Sequence, residues 1–377
     1  MKITKLETMH VKPRWMFLKV YTDEGIIGYG EPVVEGRART VEMAVKELES
    51  VLIGQDPRNI EHLWQTMYRG PFYRGGPILV SAISGIEQAL WDIKGKYHNM
   101  PVYEMLGGAC RSKIRMYGWA RGEDVKTLVA SALDRKKRGF TAIKYAIDAP
   151  NLPIMNEADA DRHVEKIAAL REAVGKEIDI GVDFHGRLSP ANAIRLARKF
   201  EPYYPMFIEE PCLPENVDTM VTIARSTSIP IASGERLFTK WGFRELLEKQ
   251  AVAIIQPDIC HAGGILEARK IAAMSEVYYG SVAPHNPLGP IALSACLQLD
   301  ASIPNFLIQE HPTLDTGEDR GVGIFKNPLV VKDGYIDIPK LPGLGFEFDE
   351  EALQDKLYDG SWQIPMLHHA DGSMADW

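Results

Sequence analysis

Ile178-Asp179-Ile180-Gly181-Val182-Asp183-Phe184-His185-Gly186 is an apolar run that ends in an acid, a spacer, a histidine and a glycine. On a strand, residues two apart share a face. Read as a strand over 178–185, the stretch projects Asp183 and His185 together from its C-terminal end. A hard-metal ligand and a titratable base then stand on one wall of one pocket.

The same rhythm recurs on either side. Short apolar segments at Ile114–Trp119, Ala142–Ile147, Phe207–Glu210, Ile229–Glu235, Ala253–Asp258, Ser281–His285 and Phe306–Glu310 read as further strands. Helical patterns over Asp159–Val174, Pro190–Phe200, Val217–Ser226, Trp241–Lys249 and Gly264–Tyr278 separate most of them. Eight strands with helical crossovers over roughly 200 residues suit a closed parallel α/β barrel. An open doubly wound sheet would want a glycine-rich phosphate loop after an early strand, and the sequence has none.

The flanks read differently. Residues 1–33 pattern as antiparallel strands with a turn at Asp23-Glu24-Gly25. From Thr40 to Arg74 the pattern is helical, with Asp56-Pro57 as the cap and first residue of a second helix. Ile83, Ile86, Leu90 and Ile93 mark an amphipathic helix. In the tail, Leu329–Val331 and Tyr335–Ile338 read as a hairpin that returns to the style of the N-terminal region. The expected organisation is an α/β barrel over 121–320, with an α+β capping domain from 1–120 on which 321–377 packs back.

The last residues of successive barrel strands are Asp183, Glu209, Glu235, Asp258, His285 and Glu310, spaced by subtraction at 26, 26, 23, 27 and 25 residues. Each interval is one strand-plus-helix unit. In a parallel barrel all of these ends share one rim, so six polar groups converge on one cavity. Three carboxylates without cysteine suit a hard divalent cation, Mg2+ over Zn2+. Asp258 and His285 fall on adjacent strands, where the acid would fix the histidine's tautomer and raise its basicity. Lys144, at the end of the second strand, is read equally as a site residue or as a salt bridge to the acids. His261 is likewise open between a structural and a functional role.

Composition limits the function classes. Hydrophobic residues make up 45% and charged residues 25%, which places the chain among soluble globular enzymes. A net charge of −8 supplies no basic field for nucleic acid or an anionic membrane, so neither is expected as a partner. Cys110, Cys212, Cys260 and Cys296 are scattered without a CxxC pair, as free thiols of a reducing compartment are. Met1–Lys5 lead into no apolar run, and no stretch approaches a membrane span. A cytoplasmic protein is expected.

Along its whole length the chain resembles the enolase superfamily, mandelate racemase subgroup. The residues that carry the resemblance are Ala89–Lys96, Pro101-Val102-Tyr103, Leu106-Gly107-Gly108, Ile208-Glu209-Glu210-Pro211, Gln256-Pro257-Asp258, Ala262-Gly263-Gly264-Ile265 and Pro342-Gly343-Leu344-Gly345. Within the superfamily, Pro13–Lys19, Glu35–Val41, Phe72–Ile78, Asp183–Arg187, Ala283-Pro284-His285 and Pro287–Pro290 are most similar to the D-galactonate dehydratases.

The resemblance implies a modified (β/α)8-type barrel of (β/α)7β form and a hydro-lyase that uses Mg2+ on an acid sugar. It implies Asp183, Glu209 and Glu235 as metal ligands. His285, paired with Asp258, would be the base that removes the proton next to the substrate carboxylate. His185 would be the acid that protonates the departing 3-hydroxyl, and Glu310 would hydrogen-bond the enediolate. Arg14 and the Phe72–Gly76 loop would close over the sugar, with Lys144 as a further substrate contact. A homo-oligomer is expected by analogy. Racemases of the subgroup carry a Lys-x-Lys pair where this chain reads Lys144-Tyr145-Ala146, which argues against racemisation. The galactonate dehydratases carry an asparagine near Ala146. The competing expectations are dehydration of another aldonate, such as gluconate or an epimer, and a non-catalytic sugar-acid-binding barrel.

Overall fold

A computed structural model describes residues 1–311 and 322–376. The chain opens with an antiparallel sheet of β1 (Ile3–Val11), β2 (Trp15–Thr22) and β3 (Ile27–Gly30). Helices α1 (Ala38–Leu52), α2 (Ile60–Arg69), α3 (Gly76–His98) and α4 (Val102–Met105) follow. The barrel then runs β4 (Lys113–Trp119), α5 (Val125–Lys137), β5 (Ala142–Ala146), α6 (Glu157–Val174), β6 (Asp179–Asp183), α7 (Pro190–Phe200), β7 (Phe207–Glu209) and α8 (Val217–Ala224). It continues with β8 (Ile231–Ser233), α9 (Thr239–Glu248), β9 (Ile254–Ile255), α10 (Ile265–Glu276), β10 (Ser281–Val282), α11 (Pro290–Ser302) and β11 (Gln309–Glu310).

Strands β4 to β10 pair in sequence order, all parallel, and β11 pairs parallel with β4. A parallel bridge from Val282 to Phe306 joins the two ends of this sheet. The eight strands are the eight read from the sequence, but several are shorter. β6 stops at Asp183, so His185 is not on the strand. It sits in a turn with φ of 51°, and its amide donates to Asp183 Oδ1 at 2.8 Å. The acid's own side chain draws the backbone out of the ladder, and the alternate-face argument ends one residue beyond Asp183.

Two other local expectations are corrected. Asp56-Pro57 does not open α2, whose cap is Asn59. Asp56 Oδ1 instead accepts from the Arg58 amide at 3.0 Å, closing a turn before the helix. Helix α3 is not simply amphipathic. Ile83, Ile86, Leu90 and Ile93 are buried, but so are Glu87, Gln88 and Asp92 on its polar face. The helix lies between the N-terminal sheet and the barrel, and both sides bury it. Gly28 and Gly30 allow that approach: a Cβ on Gly30 would lie 1.8 Å from the Gly85 carbonyl oxygen.

The tail divides its contacts. β12 (Tyr335–Asp337) pairs antiparallel with β4 on the barrel, with Ile336 opposite Ile114. Beyond it, Phe346 stacks on Phe325 at 4.2 Å and Phe348 packs on Tyr29 at 4.8 Å, against the N-terminal sheet. The expected hairpin is reduced to a single bridge from Lys332 to Tyr335, because β4 supplies the better partner. Residues 320 and 321, where the expected domain boundary falls, lie outside the described residues. No helix among the described residues is long and apolar enough to cross a membrane.

Candidate active site

The C-terminal ends of the barrel strands deliver Asp183, Glu209 and Glu310, whereas β8 stops at Ser233 and Glu235 completes the ladder of acids from the turn just beyond it. Asp183 on β6 stands beside Glu209 on β7 in the pairing register. Lys144, near the end of β5, reaches between them. Its ammonium is 2.7 Å from Glu209 Oε2, 3.1 Å from Glu310 Oε1 and 3.4 Å from Asp183 Oδ2. It lies over the rings of Trp119 and Tyr117, at 4.6 and 5.2 Å. Burial disfavours that ammonium, yet the carboxylates around it outweigh the cost and hold its pKa well above the ordinary value. The salt bridge to the acids, one of the two readings of Lys144, is present, and it holds the ammonium at the site.

Glu310 is fixed on three sides. Besides Lys144, Trp119 Nε1 donates to Oε1 at 3.0 Å and the Asn286 amide donates to Oε2 at 2.9 Å. Burial opposes its ionisation, but Lys144, His285 and the Asn286 amide hold it at about 2. Glu209 is pushed up to about 7, first by burial and then by Asp183. Glu235 is driven well above the carboxylate range, by burial and by Glu210. One oxygen of each lacks a hydrogen-bond partner: Glu209 Oε1 and Glu235 Oε2.

One ammonium thus faces three buried acids, Asp183, Glu209 and Glu310, and Glu235 adds a fourth, half-buried carboxylate beside His285. Among the described residues no three acid, histidine or cysteine side chains stand close enough together to hold a metal ion. The donor chemistry nevertheless fits a hard divalent cation, because the site carries excess negative charge and two orphaned carboxylate oxygens.

The two histidines stand in different surroundings. His285 Nδ1 is 2.8 Å from Asp258 Oδ2, while Asp258 Oδ1 accepts from the Cys260 amide at 2.7 Å. That leaves His285 Nε2 facing Glu235 Oε2 at 3.6 Å. Burial lowers the pKa of His285, but Glu235 and Asp258 raise it well above the ordinary value. His185 is pulled down to about 4, chiefly by burial, despite Asp183. His185, His285, Glu235 and His261 all line one cavity of about 260 Å³. Larger cavities exist, of about 430, 510 and 730 Å³, but none of them meets either of the predicted catalytic histidines. His261 Nδ1 lies 2.9 Å from Ser81 Oγ, a hydroxyl of the N-terminal domain.

Arg14 does not line this cavity. Its guanidinium is held by Glu35 Oε1 at 2.6 Å, approaches the Pro287 carbonyl at 3.4 Å and stacks on Trp362 at 5.1 Å. It ties the N-terminal loop to the loop after His285 and to the tail, while its partner Glu35 does face the cavity. Sequence reasoning also missed Glu210 and Arg236, which line the cavity as a forked ion pair at 2.9 and 2.7 Å. The signal was present. Each follows a ladder acid by one residue, so the two repeat the 26-residue interval of Glu209 and Glu235.

The loops that carry the base pair are held from outside the barrel. Neither α10 nor α11 has a side-chain cap of its own. Glu87 of α3 accepts from the amides of Ile265 and Leu266 at 2.7 and 2.9 Å. Glu31 accepts from the amides of Gly289 and Ala292 at 2.7 and 2.9 Å. Gln88 accepts from the Glu31 amide at 2.9 Å and donates to the Ile259 carbonyl at 3.2 Å. Orphan amides at two helix starts are thus satisfied by buried acids of the N-terminal region.

Residues 3–107 match the model of the mandelate racemase / muconate lactonizing enzyme N-terminal domain, and residues 127–352 match the enolase C-terminal domain-like model. The chain belongs to the enolase superfamily. It is 48% identical to a D-galactonate dehydratase of Ralstonia pickettii (strain 12J), over 100% of both chains. It is equally 48% identical to one of Cronobacter sakazakii (strain ATCC BAA-894), again over 100% of both. Among solved structures, an enolase superfamily member from Salmonella Typhimurium matches with a TM-score of 0.89 and 34% identity, covering 95% of this chain and 98% of the other. A mandelate racemase/muconate lactonizing enzyme from Sulfitobacter sp matches with a TM-score of 0.90 and 34% identity over 100% of both chains. An α/β barrel preceded by an antiparallel sheet is the architecture expected from the sequence patterns, and the superfamily is the one that the resemblance implied.

Proposed function

We propose that this enzyme is a hydro-lyase that dehydrates the acid sugar D-galactonate to 2-dehydro-3-deoxy-D-galactonate. One observation carries the reading: an acid-backed histidine, His285 with Asp258, and a second histidine, His185, share one cavity with Glu235 of the carboxylate ladder. Full-length identity of 48% to D-galactonate dehydratases supports the choice of substrate. The barrel over 121–320 carries the chemistry under a cap built from 1–120 and the tail, in a cytoplasmic protein whose four thiols are free.

Asp183, Glu209 and Glu235 would hold Mg2+. When bound, the cation would offset the charge of these acids and the second negative charge that a carboxylate acquires as its α-proton leaves. His285, neutral once the cation would offset the Glu235 charge that holds it protonated, would take the carbon-2 proton on Nε2, the nitrogen that Asp258 leaves facing the cavity. Glu310, held immobile by Lys144, Trp119 and Asn286, would hydrogen-bond a carboxylate oxygen of the enediolate, donating a proton that it takes up as the substrate's negative charge arrives beside it. His185 gives the proton with which the 3-hydroxyl departs as water. The resulting enol tautomerises to the 2-keto-3-deoxy acid. An anionic substrate beside His185 raises its pKa from about 4 toward the range in which it carries that proton.

The test is a panel of aldonates with chelator-treated protein, with and without Mg2+, scored for 2-keto acid. D-galactonate should give product only with the cation. Turnover of another aldonate and none of D-galactonate would reassign the substrate. Absence of turnover and of carbon-2 deuterium exchange with every acid sugar would leave a binding protein.

A further inference from the structure

The C-terminal tail reaches the mouth of the same cavity, and a chain of contacts steers it there. The Lys12 amide donates to the Lys356 carbonyl at 2.8 Å, and the Tyr358 amide donates to the His10 carbonyl at 3.1 Å. Arg39 pairs with Asp359 at 3.0 Å. The Arg14 guanidinium then lies 5.1 Å over the ring of Trp362, and Arg14 is itself held by Glu35 at 2.6 Å. Two residues on, the tail presses against Gly36, where a Cβ would stand 3.1 Å from the Ile364 side chain and 3.2 Å from its amide. Ile364 ends in the cavity wall with Val34 and Pro77, in the same cavity as His185, His285 and Glu235.

We propose that Ile364, anchored by Trp362 on Arg14, is a specificity-determining residue that sets how long an acid-sugar chain the site accepts. The inference rests on the dehydratase reading above. For carbon 2 to face His285, the substrate carboxylate must lie at the acid and Lys144 end of the barrel. The far end of the sugar then extends toward the N-terminal region and the tail. There it meets a four-carbon side chain that offers no hydrogen bond, in a cavity of only about 260 Å³. One more CHOH unit would press its hydroxyl against Ile364, Val34 and Pro77, and an apolar lip of this kind disfavours it. Ile364 is 37% exposed, so it forms a lip and not a core position, and it can be replaced without unfolding the chain.

The experiment compares kcat/KM and Kd for four-, five-, six- and seven-carbon aldonates of matched carbon-2 and carbon-3 configuration. It uses the Mg2+-loaded wild type, Ile364→Ala, Ile364→Trp and Trp362→Ala. Opening the lip with alanine should raise the seven-to-six-carbon ratio about tenfold, and tryptophan should lower the six-to-four-carbon ratio by about as much. Trp362→Ala, which frees the anchor, should shift the ratios in the same direction as Ile364→Ala. If all chain lengths change by one common factor in both Ile364 variants, the proposal is wrong. If the wild type turns over no acid sugar, the dehydratase reading fails. The Kd ratios then decide the lip by themselves, since they do not need turnover.

Discussion

Replacing Glu31 by glutamine tests how the N-terminal region holds the loop that follows His285. Glu31 is fully buried and accepts one backbone amide on each oxygen, from Gly289 and Ala292. Burial, reinforced by Asp258, outweighs those two hydrogen bonds and pushes its pKa up from 4.5 to about 8. The folded value exceeds the unfolded one, so Glu31's contribution to stability is fully present below pH 4.5 and is lost as pH rises through about 8. The gap amounts to about 5 kcal/mol at ~1.4 kcal/mol per pH unit. Glutamine does not titrate, but its NH2 must face one of the two amides, a fixed cost of about 1–3 kcal/mol. At pH 5 the variant should therefore be the less stable protein. By pH 8 it should be the more stable one, with the curves crossing at about pH 5 to 7. Urea unfolding at a series of pH values reads the difference as a shift in midpoint. A deficit that stays constant or grows between pH 5 and 8 would refute the reasoning. It would mean that the field at the start of α11 keeps Glu31 ionised against its burial.

Three further outcomes are expected. Lys144→Met leaves Glu209, Glu310 and Asp183 facing one another without a counter-charge, and should destabilise the cation-free protein by about 3–5 kcal/mol; a thermal melt that matches the wild type with chelator present would contradict the geometry. His185→Asn should abolish keto acid formation while retaining carbon-2 exchange in D2O, whereas His285→Asn should lose both, so equal loss of exchange in the two would contradict the division of labour. Glu42 is held at about 2 because hydrogen bonds from His10, Lys46 and Thr8 overcome its burial. Its advantage over Glu42→Gln should be present above pH 4.5 and vanish as pH falls through about 2, and its exposure keeps that advantage under about 1 kcal/mol; a stability difference that widens on acidification would sink this account.

The parts of the site legible in the sequence were those set by repetition. Asp183, Glu209, Glu235, Asp258, His285 and Glu310 recur once per strand-plus-helix unit, and a parallel barrel carries every such position to one rim. The pairing register places Asp183 beside Glu209 as that rule requires. Spacing could not say what fills the space between the acids. Lys144 had two equal readings, and only the fold brings its ammonium to 2.7 Å from Glu209. Arg14 had the charge to meet a sugar acid, yet Glu35 and Trp362 hold it at the lip.

The stretch around Asp183 marks the same limit on a smaller scale. Its apolar alternation determined the strand and the acid at the strand's end, because side-chain period and hydrophobic burial are properties of neighbouring residues. Its last two residues were decided by a hydrogen bond from the His185 amide, which turns the chain and sets the histidine by geometry outside the strand. The caps on α10 and α11 lie further still from anything local. Glu87 and Glu31 act across 178 and 258 residues of sequence. Periodicity carries information about neighbours and repeats, whereas a buried carboxylate finds its amides only after two domains have closed on each other.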